Sequence, residues 1–290
     1  MRVLMIHGIA QGGKVAADLK KTWVDTLKEG FAAARKPWPA NVDFDFPYYG
    51  DELDRFVKQA ALPTAADVVA KGPGQNGDYE RFLQSALSQI EANAAIPEPE
   101  IRASLDPMAP QDKGIQNWGW VQAIARTIDG RWTGAVDYTI ERYLREVFLY
   151  VSRPAVESRI NAIVEAMITA EPTIVVGHSL GSVVAYKVIV NNAARLSLKK
   201  LITVGSPLGL KAISSKLGRP RNPAGKDGWY NAFDDRDIVA LNPLDAEYFP
   251  ADPSVVNYDR VRNKTDNRHG IIGYLNDREV ATKIAAAIAG

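Results

Sequence analysis

The chain reads TIVVGHSLGSVVAY from Thr173 to Tyr186, and this stretch decides the fold. Its β-branched beginning is typical of a buried strand, and the apolar residues after Leu180 recur at helical spacing. Between strand and helix lies GHSLG, a G-x-S-x-G sequence centred on Ser179. The pentapeptide alone is a weak signal, but its place between a strand and a helix predicts a sharp turn with Ser179 at the apex.

A turn of this kind exposes a serine hydroxyl on a strained backbone. Gly177 and Gly181 suit it, because only glycine lets neighbouring backbone approach closely on both sides. The alternative is a glycine-flanked serine in an ordinary strand-to-helix turn, such as one in a nucleotide-binding fold.

Composition limits the partners of this chain. Its 290 residues carry 35 Lys and Arg against 34 Asp and Glu, a net charge of +1, so we expect no nucleic-acid partner. The absence of cysteine excludes disulfides, thiolate metal sites and cysteine nucleophiles. A small neutral or weakly charged substrate is expected.

We expect neither a membrane span nor a targeting segment. No run approaches the roughly 18 apolar residues of a membrane span. Residues 3–6 read as a first core strand and not as the apolar region of a signal peptide. These features predict a cytoplasmic protein.

Strand-like runs alternate with helical patterns along most of the chain. The runs lie at about 2–6, 42–46, 173–177, 200–204, 229–233 and 254–258. The alternation predicts an α/β fold with a mostly parallel sheet of about six strands flanked by helices. Asn276 and Glu279 form a capping-box pattern that predicts the start of a last helix.

The strand pattern disappears in the middle of the chain, from about residue 53 to 147. Three amphipathic helices are predicted there. Their apolar positions are Tyr79, Phe82, Leu83, Ala86, Leu87 and Ile90; then Ile115, Trp118, Val121, Ile124 and Ile128; then Ile140, Tyr143, Leu144, Val147 and Phe148. We interpret residues 53–147 as a helical cap inserted into a sheet domain formed by residues 1–52 and 148–290.

A serine hydroxyl is a weak nucleophile at neutral pH, so it needs a base, and the base needs a group that orients it. The chain has three histidines. His178 adjoins Ser179, where neighbouring side chains diverge, and His7 follows the first strand, where we expect it to shape a loop. Elimination leaves His269 as the base; the alternative is a surface histidine in a polar loop.

The orienting acid is predicted in the loop after the strand-like run 229–233. Asp234, Asp235 and Asp237 compete there. Asp237 is favoured, because the apolar dipeptide behind it can anchor the loop and bury its carboxylate against the imidazole. The other two suit turn formation or pairing with Arg236, which follows them.

Acyl transfer also needs donors aimed at the oxyanion of the tetrahedral intermediate. The backbone N–H of Leu180 is one candidate, and the N–H of Ile9, in the loop after the first strand, is the other. The glycine pair at 12–13 would suit a phosphate-binding loop, but no G-x-G-x-x-G or Walker pattern accompanies it.

Three tryptophans of the predicted cap offer the only clue to the substrate. Trp118, Trp120 and Trp132 are candidate walls of an acyl pocket. Aromatic residues at helical spacing more often belong to an ordinary core, which is the alternative.

Four segments, taken in order, resemble the α/β-hydrolase superfamily. They are His7-Gly8-Ile9, the GHSLG turn, the aspartate loop 234–237, and His269. The sequence GSPL at 205–208 also looks like the corresponding segment of lipase-like members. The resemblance covers roughly residues 1–50 and 150–290, and it implies a fold that begins at the family's third strand.

The resemblance implies a serine hydrolase that cleaves a carboxylic ester through an acyl-enzyme, like a carboxylesterase or lipase, with the insertion as a lid. A serine at the turn disfavours dehalogenases and epoxide hydrolases, which use an aspartate there. A serine peptidase, amidase or thioesterase on the same fold stays open, as does a non-catalytic binding protein. The expected chemistry calls for no metal ion and no organic cofactor.

Overall fold

The computed structural model describes residues 1–72, 74, 77–114, 116–132 and 139–290. Within these residues, six strands form one sheet in which every neighbouring pair is parallel. The strands are β1 Arg2–Ile6, β2 Asp43–Asp45, β3 Thr173–His178, β4 Leu198–Val204, β5 Trp229–Ala232 and β6 Val256–Tyr258. The prediction of an α/β fold with about six mostly parallel strands is confirmed.

Helices flank this sheet. Before β3 the chain forms α1 Ala16–Ala33, α2 Gly50–Ala60, α3 Ala65–Lys71, α4 Gly77–Asn93, α5 Glu98–Ser104, α6 Trp118–Arg131, α7 Ile140–Ser152 and α8 Pro154–Glu165. After β3 it forms α9 Leu180–Asn191, a 3₁₀ turn Pro207–Gly209, α10 Lys211–Ser214, α11 Ile271–Leu275 and α12 Arg278–Ala289. Of the predicted apolar positions, Ile115 lies outside the described residues. No helix in the described ranges is both long and apolar enough to cross a membrane.

The start of α12 differs from the prediction by one residue. Asp277, not Asn276, caps this helix, since its Oδ1 accepts the N–H groups of Glu279 at 2.8 Å and Val280 at 3.0 Å. Asn276 is the C-cap residue that follows α11, and its backbone conformation is helical. The predicted cap at Asn276 is wrong, because a capping residue needs the extended backbone that Asp277 has.

Each face of the sheet has its own apolar core, because successive strand residues point to opposite faces. On one face, Val3 and Met5 of β1 belong to a cluster with buried residues of α1, α11 and α12. On the other face, Leu4 and Ile6 belong to a larger cluster that includes residues of α2, α4, α6, α7, α8 and α9. The helices between residues 53 and 147 therefore share one continuous core with the sheet.

The parallel strands all end at one edge of the sheet, where the loops that follow them meet. The order across the sheet is β2-β1-β3-β4-β5-β6, so the chain leaves β1 toward one side and β3 toward the other. β1 and β3 are neighbours, with Ile6 opposite Gly177. In open α/β sheets the crevice at such a switch point is where ligands bind. Ile9 and Ser179 follow these two strands.

Candidate active site

Ser179 lies between β3 and α9 in a strained backbone conformation. Its φ is 55° and its ψ is −131°, a combination that a residue with a side chain rarely adopts. Its N–H donates to the Val204 carbonyl at 3.2 Å, and its own carbonyl accepts the Ser182 N–H at 2.9 Å. Strain of this size is kept where the surrounding structure enforces it, and such residues cluster at functional sites.

Two glycines let neighbouring backbone come close to this turn. A Cβ on Gly181 would lie 2.1 Å from the Ile6 carbonyl oxygen and 2.3 Å from that of His7. A Cβ on Gly8 would lie 2.7 Å from the Ser179 Cβ. The first turn of α9 is therefore packed directly on the end of β1, and the loop after β1 touches Ser179.

We expect Gly181→Ala to lower the free energy of unfolding by about 3 kcal/mol, because the added methyl overlaps two backbone oxygens that cannot turn aside. Gly130→Ala is the matched control, since nothing lies within 4 Å of a Cβ at this helical position and alanine favours a helix by up to about 1 kcal/mol. Urea unfolding of both variants measures the difference. Equal stabilities would contradict the close approach of α9 to β1.

Three side chains from separate loops form a hydrogen-bonded chain. Ser179 Oγ lies 2.8 Å from His269 Nε2, and His269 Nδ1 lies 2.7 Å from Asp237 Oδ2. Because an ionised carboxylate only accepts, Nδ1 carries the proton and Nε2 is left to accept from the Ser179 hydroxyl. All three residues are buried. The structure thus brings together three residues that sequence reasoning selected, two of them 90 positions apart.

Asp237 has two further hydrogen-bond donors. The Tyr274 hydroxyl on α11 donates to Oδ2 at 2.5 Å, and the Val239 N–H donates to Oδ1 at 3.3 Å. Burial, together with the charge of Asp237, raises the pKa of Tyr274 well above its usual value, so this phenol stays a donor. Sequence reasoning missed Tyr274, because a tyrosine at an apolar helical position carries no local sign of a bond to a distant loop.

The two competing aspartates have other partners. Asp234 is buried and accepts the Asn263 N–H at 2.7 Å and the Arg236 Nε at 3.2 Å. Asp235 is 54% exposed and pairs with Arg262 at 3.1 Å. Both carboxylates therefore stabilise the loop itself, and Asp237 is the one that reaches the imidazole.

The other two histidines lie beside the site, His7 buried and His178 partly buried. His178 Nε2 donates to the backbone carbonyl of His269 at 2.7 Å, and the two rings lie 4.9 Å apart. His7 Nδ1 donates to the Gly8 carbonyl at 2.7 Å, while its Nε2 accepts the Tyr49 N–H at 3.1 Å. Burial lowers the pKa of His7 to about 4 and that of His178 well below its usual value. Both rings are neutral and fix the loops that carry the reactive groups.

The neutral His7 makes stability depend on pH. A histidine in the unfolded chain binds a proton near pH 6.5, whereas His7 in the folded chain binds one only near pH 4. Between these values the unfolded state holds more protons, so the free energy of unfolding falls as the pH falls. We expect His7 to account for a loss of about 3 kcal/mol across this window, with His178 acting in the same direction.

Imidazole ¹⁵N NMR spectra test this pH dependence directly, and urea unfolding at both ends of the window measures the free energy. At pH 5, His7 should be neutral with its proton on Nδ1, as its bonds to Gly8 and Tyr49 require. Protonation of His7 near its ordinary pKa would contradict the expectation.

The two predicted oxyanion donors adjoin Ser179. Leu180 is the first residue of α9, so its N–H has no acceptor within the helix. Ile9 follows Gly8 and lines the same cavity as Ser179. Neither N–H donates to another backbone group in the described part of the chain. Their action on an oxyanion stays a prediction.

A carboxylate from α7 fixes the loop that carries Ile9. Ala10 has a φ of 56°, and its N–H donates to Glu146 Oε2 at 3.0 Å. Glu146 is 4% exposed and lies 3.5 Å from Arg142, and burial raises its pKa. The position of the Ile9 N–H thus depends on a helix from the middle segment, a link that no sequence pattern indicated.

Tyr143, one turn before Glu146 on α7, brings a hydroxyl to Ser179. The side chain is fully buried, and its ring lies edge-on to the His269 ring at 6.0 Å. The hydroxyl interacts with the Ser179 side chain. However, it completes no hydrogen bond of normal geometry within the described residues. From the sequence alone, Tyr143 is predicted only as an apolar position of a helix.

A cavity of about 580 Å³ opens at Ser179 and His269. The described walls come mainly from the loop after β1, from α1 and from the start of α11, and they include Lys14 and Arg142. Trp118, Trp120 and Trp132 are not among these described walls.

The three tryptophans lie elsewhere. Trp120 is 1% exposed in the core shared by the helices, and Trp118 lines a separate cavity beside Met108. The Trp132 Nε1 donates to the Asn267 carbonyl at 3.0 Å, in the loop that precedes His269. Helical spacing thus directs Trp120 into contacts between helices. Trp132 instead supports the loop that carries His269.

Within the described ranges, no group of three His, Cys, Asp or Glu side chains is arranged to hold a metal ion. No protein-family model matches the chain. No curated protein is significantly similar to it.

Proposed function

We propose that this protein is a serine hydrolase of the α/β-hydrolase type that cleaves a carboxylic ester through an acyl-enzyme. The observation that carries the proposal is a pair of hydrogen bonds made by His269. Its Nε2 lies 2.8 Å from Ser179 Oγ, and its Nδ1 lies 2.7 Å from Asp237 Oδ2. The order Ser, Asp, His along the sequence is the order of that superfamily. The strained backbone of Ser179 at a strand-to-helix turn supports the same assignment.

Each member of the triad has one task in acylation. His269 Nε2 takes the proton of Ser179 as Oγ attacks the ester carbonyl carbon. Asp237 keeps Nδ1 protonated and stabilises the positive imidazolium. The N–H groups of Ile9 and Leu180 donate to the oxyanion. The intermediate then collapses, His269 gives its proton to the ester oxygen, and the alcohol leaves.

Deacylation repeats these steps with water. His269 removes a proton from a water molecule, whose oxygen adds to the acyl carbon. The second tetrahedral intermediate releases Ser179, which regains its proton from the imidazolium, and the carboxylic acid departs. Both half-reactions use the same base and the same oxyanion donors.

The cavity suits a small organic substrate. Its volume of about 580 Å³ lies within the range of sites for small molecules. Ile9, Leu19 and Trp23 offer apolar contacts for an acyl chain. The proposal includes a cap formed by residues 53–147, since Tyr143 and Glu146 approach the site from that segment.

Labelling with a fluorophosphonate probe, followed by peptide mass spectrometry, tests the nucleophile. We expect one adduct, on the peptide that contains Ser179. A panel of p-nitrophenyl esters from acetate to palmitate, with matching anilides and thioesters, then identifies the acyl group and the leaving atom.

Three results of these experiments would overturn the proposal in different ways. An adduct on another residue would displace Ser179 as the nucleophile. Faster turnover of anilides or thioesters than of esters would indicate an amidase or thioesterase. No reaction with any probe or substrate would favour a binding protein.

A further inference from the structure

Buried hydroxyl groups normally form hydrogen bonds, and the Tyr143 hydroxyl is an exception in the described structure. It is fully enclosed and completes no hydrogen bond within the described residues. Burying a hydroxyl without a partner destabilises a fold. Phenylalanine would fill the same space without this cost, so the packing of α7 alone gives no reason for the oxygen.

The surroundings of Tyr143 fix where that oxygen lies. The ring packs edge-on against Trp132 at 5.9 Å and against His269 at 6.0 Å. With the ring fixed in this way, the hydroxyl lies within reach of the Ser179 side chain and interacts with it. Ser179 uses its own proton toward His269 Nε2, so its oxygen presents lone pairs to the phenol. Tyr143 is therefore placed as a donor facing the nucleophilic oxygen.

The oxyanion of the tetrahedral intermediate is a second possible acceptor for this hydroxyl, and it exists only once the reaction has started. The oxyanion forms on the carbon that becomes bonded to Ser179 Oγ, so it lies two bonds from the oxygen that Tyr143 already faces. A donor that is poorly paired in the free enzyme and well paired in the tetrahedral intermediate lowers the barrier, because only such differential interactions accelerate the chemical step. Catalytic hydrogen bonds are often incomplete before substrate binds.

On the premise that the protein is the serine hydrolase described above, we propose that Tyr143 is a catalytic residue whose hydroxyl donates a hydrogen bond to the oxyanion. It acts beside the backbone N–H groups of Ile9 and Leu180. Tyr143 transfers no proton and forms no covalent bond. Burial raises the pKa of Tyr143, so the phenol keeps its proton and stays a donor.

Tyr143→Phe tests the proposal, because it removes the hydroxyl and keeps the ring. We expect kcat for ester hydrolysis to fall about 100-fold, the usual effect of losing one oxyanion donor, with little change in KM. The melting temperature should stay the same or rise, because an unsatisfied buried hydroxyl is lost. Fluorophosphonate should still modify Ser179 in this variant, since the triad is intact.

Tyr230→Phe is the matched control. Its hydroxyl is also buried without a hydrogen bond in the described structure, but it lies in the core on the opposite face of the sheet. This variant should match Tyr143→Phe in melting temperature and the unaltered protein in kcat. A purely structural effect of losing a phenol would move both variants alike.

The possible failures can be told apart. If the unaltered protein neither turns over esters nor reacts at Ser179, the hydrolase proposal itself fails. If the unaltered protein is active and Tyr143→Phe retains kcat within about threefold, the role of Tyr143 is refuted and the hydrolase stands. A fall in kcat that accompanies a lower melting temperature would also refute it, because the tyrosine would then be structural.

Discussion

Ser179→Ala should lower kcat for ester hydrolysis by about 10⁶-fold, the effect of removing the nucleophile from a working triad. Alanine tolerates the turn about as well as serine, and within the described structure the lost hydroxyl makes one hydrogen bond, to His269. We therefore expect the melting temperature to stay close to that of the unaltered protein. Fluorophosphonate labelling should disappear together with turnover, and both can be measured on one preparation.

Ser182→Ala is the control for this substitution. Ser182 is buried one turn further along α9, where its Oγ donates to the Ser179 carbonyl at 2.6 Å and lies 2.7 Å from Ser206 Oγ. Its loss should cost about 1–2 kcal/mol of stability, while the nucleophile remains. The two variants should thus show opposite patterns. Comparable turnover by both would mean that a different residue attacks the substrate.

The sheet and the triad could be predicted because their signals are local or few. β3 shows as a β-branched run, and the turn after it needs glycines at fixed positions around Ser179. Only three histidines compete for the role of base, so elimination was sufficient to select His269. Asp237 required a further argument, based on the apolar residues behind it, and the structure buries its carboxylate completely.

The contributions of α7 could not be predicted in the same way. Helical periodicity indicates which face of a helix is buried, but not which element it is buried against. Tyr143 and Glu146 sit on that buried face, and their contacts with Ser179 and Ala10 depend on how the helix crosses the end of the sheet. For the same reason the sequence predicts Trp120 as a pocket wall, whereas its side chain lies in the core.

Asp237→Asn should lower kcat by about 10⁴-fold while the protein stays folded. The reason lies in the two oxygens of Asp237. The Val239 N–H faces Oδ1 and can only donate, so the asparagine oxygen is expected at that position. The amide NH₂ then takes the place of Oδ2. The Tyr274 hydroxyl can rotate to accept from it, but His269 Nδ1 must then accept as well.

That exchange reverses the histidine tautomer. With Nδ1 as an acceptor, the proton moves to Nε2, and His269 can no longer receive the proton of Ser179. Imidazole ¹⁵N NMR should show the proton on Nδ1 in the unaltered protein and on Nε2 in Asp237→Asn. Asp235→Asn makes the same chemical change in the same loop at a half-exposed carboxylate and should leave both tautomer and kcat unaltered. Full activity in Asp237→Asn, or an equal loss in Asp235→Asn, would contradict the role of Asp237 in the mechanism. The loss of activity would then not depend on the carboxylate that contacts His269.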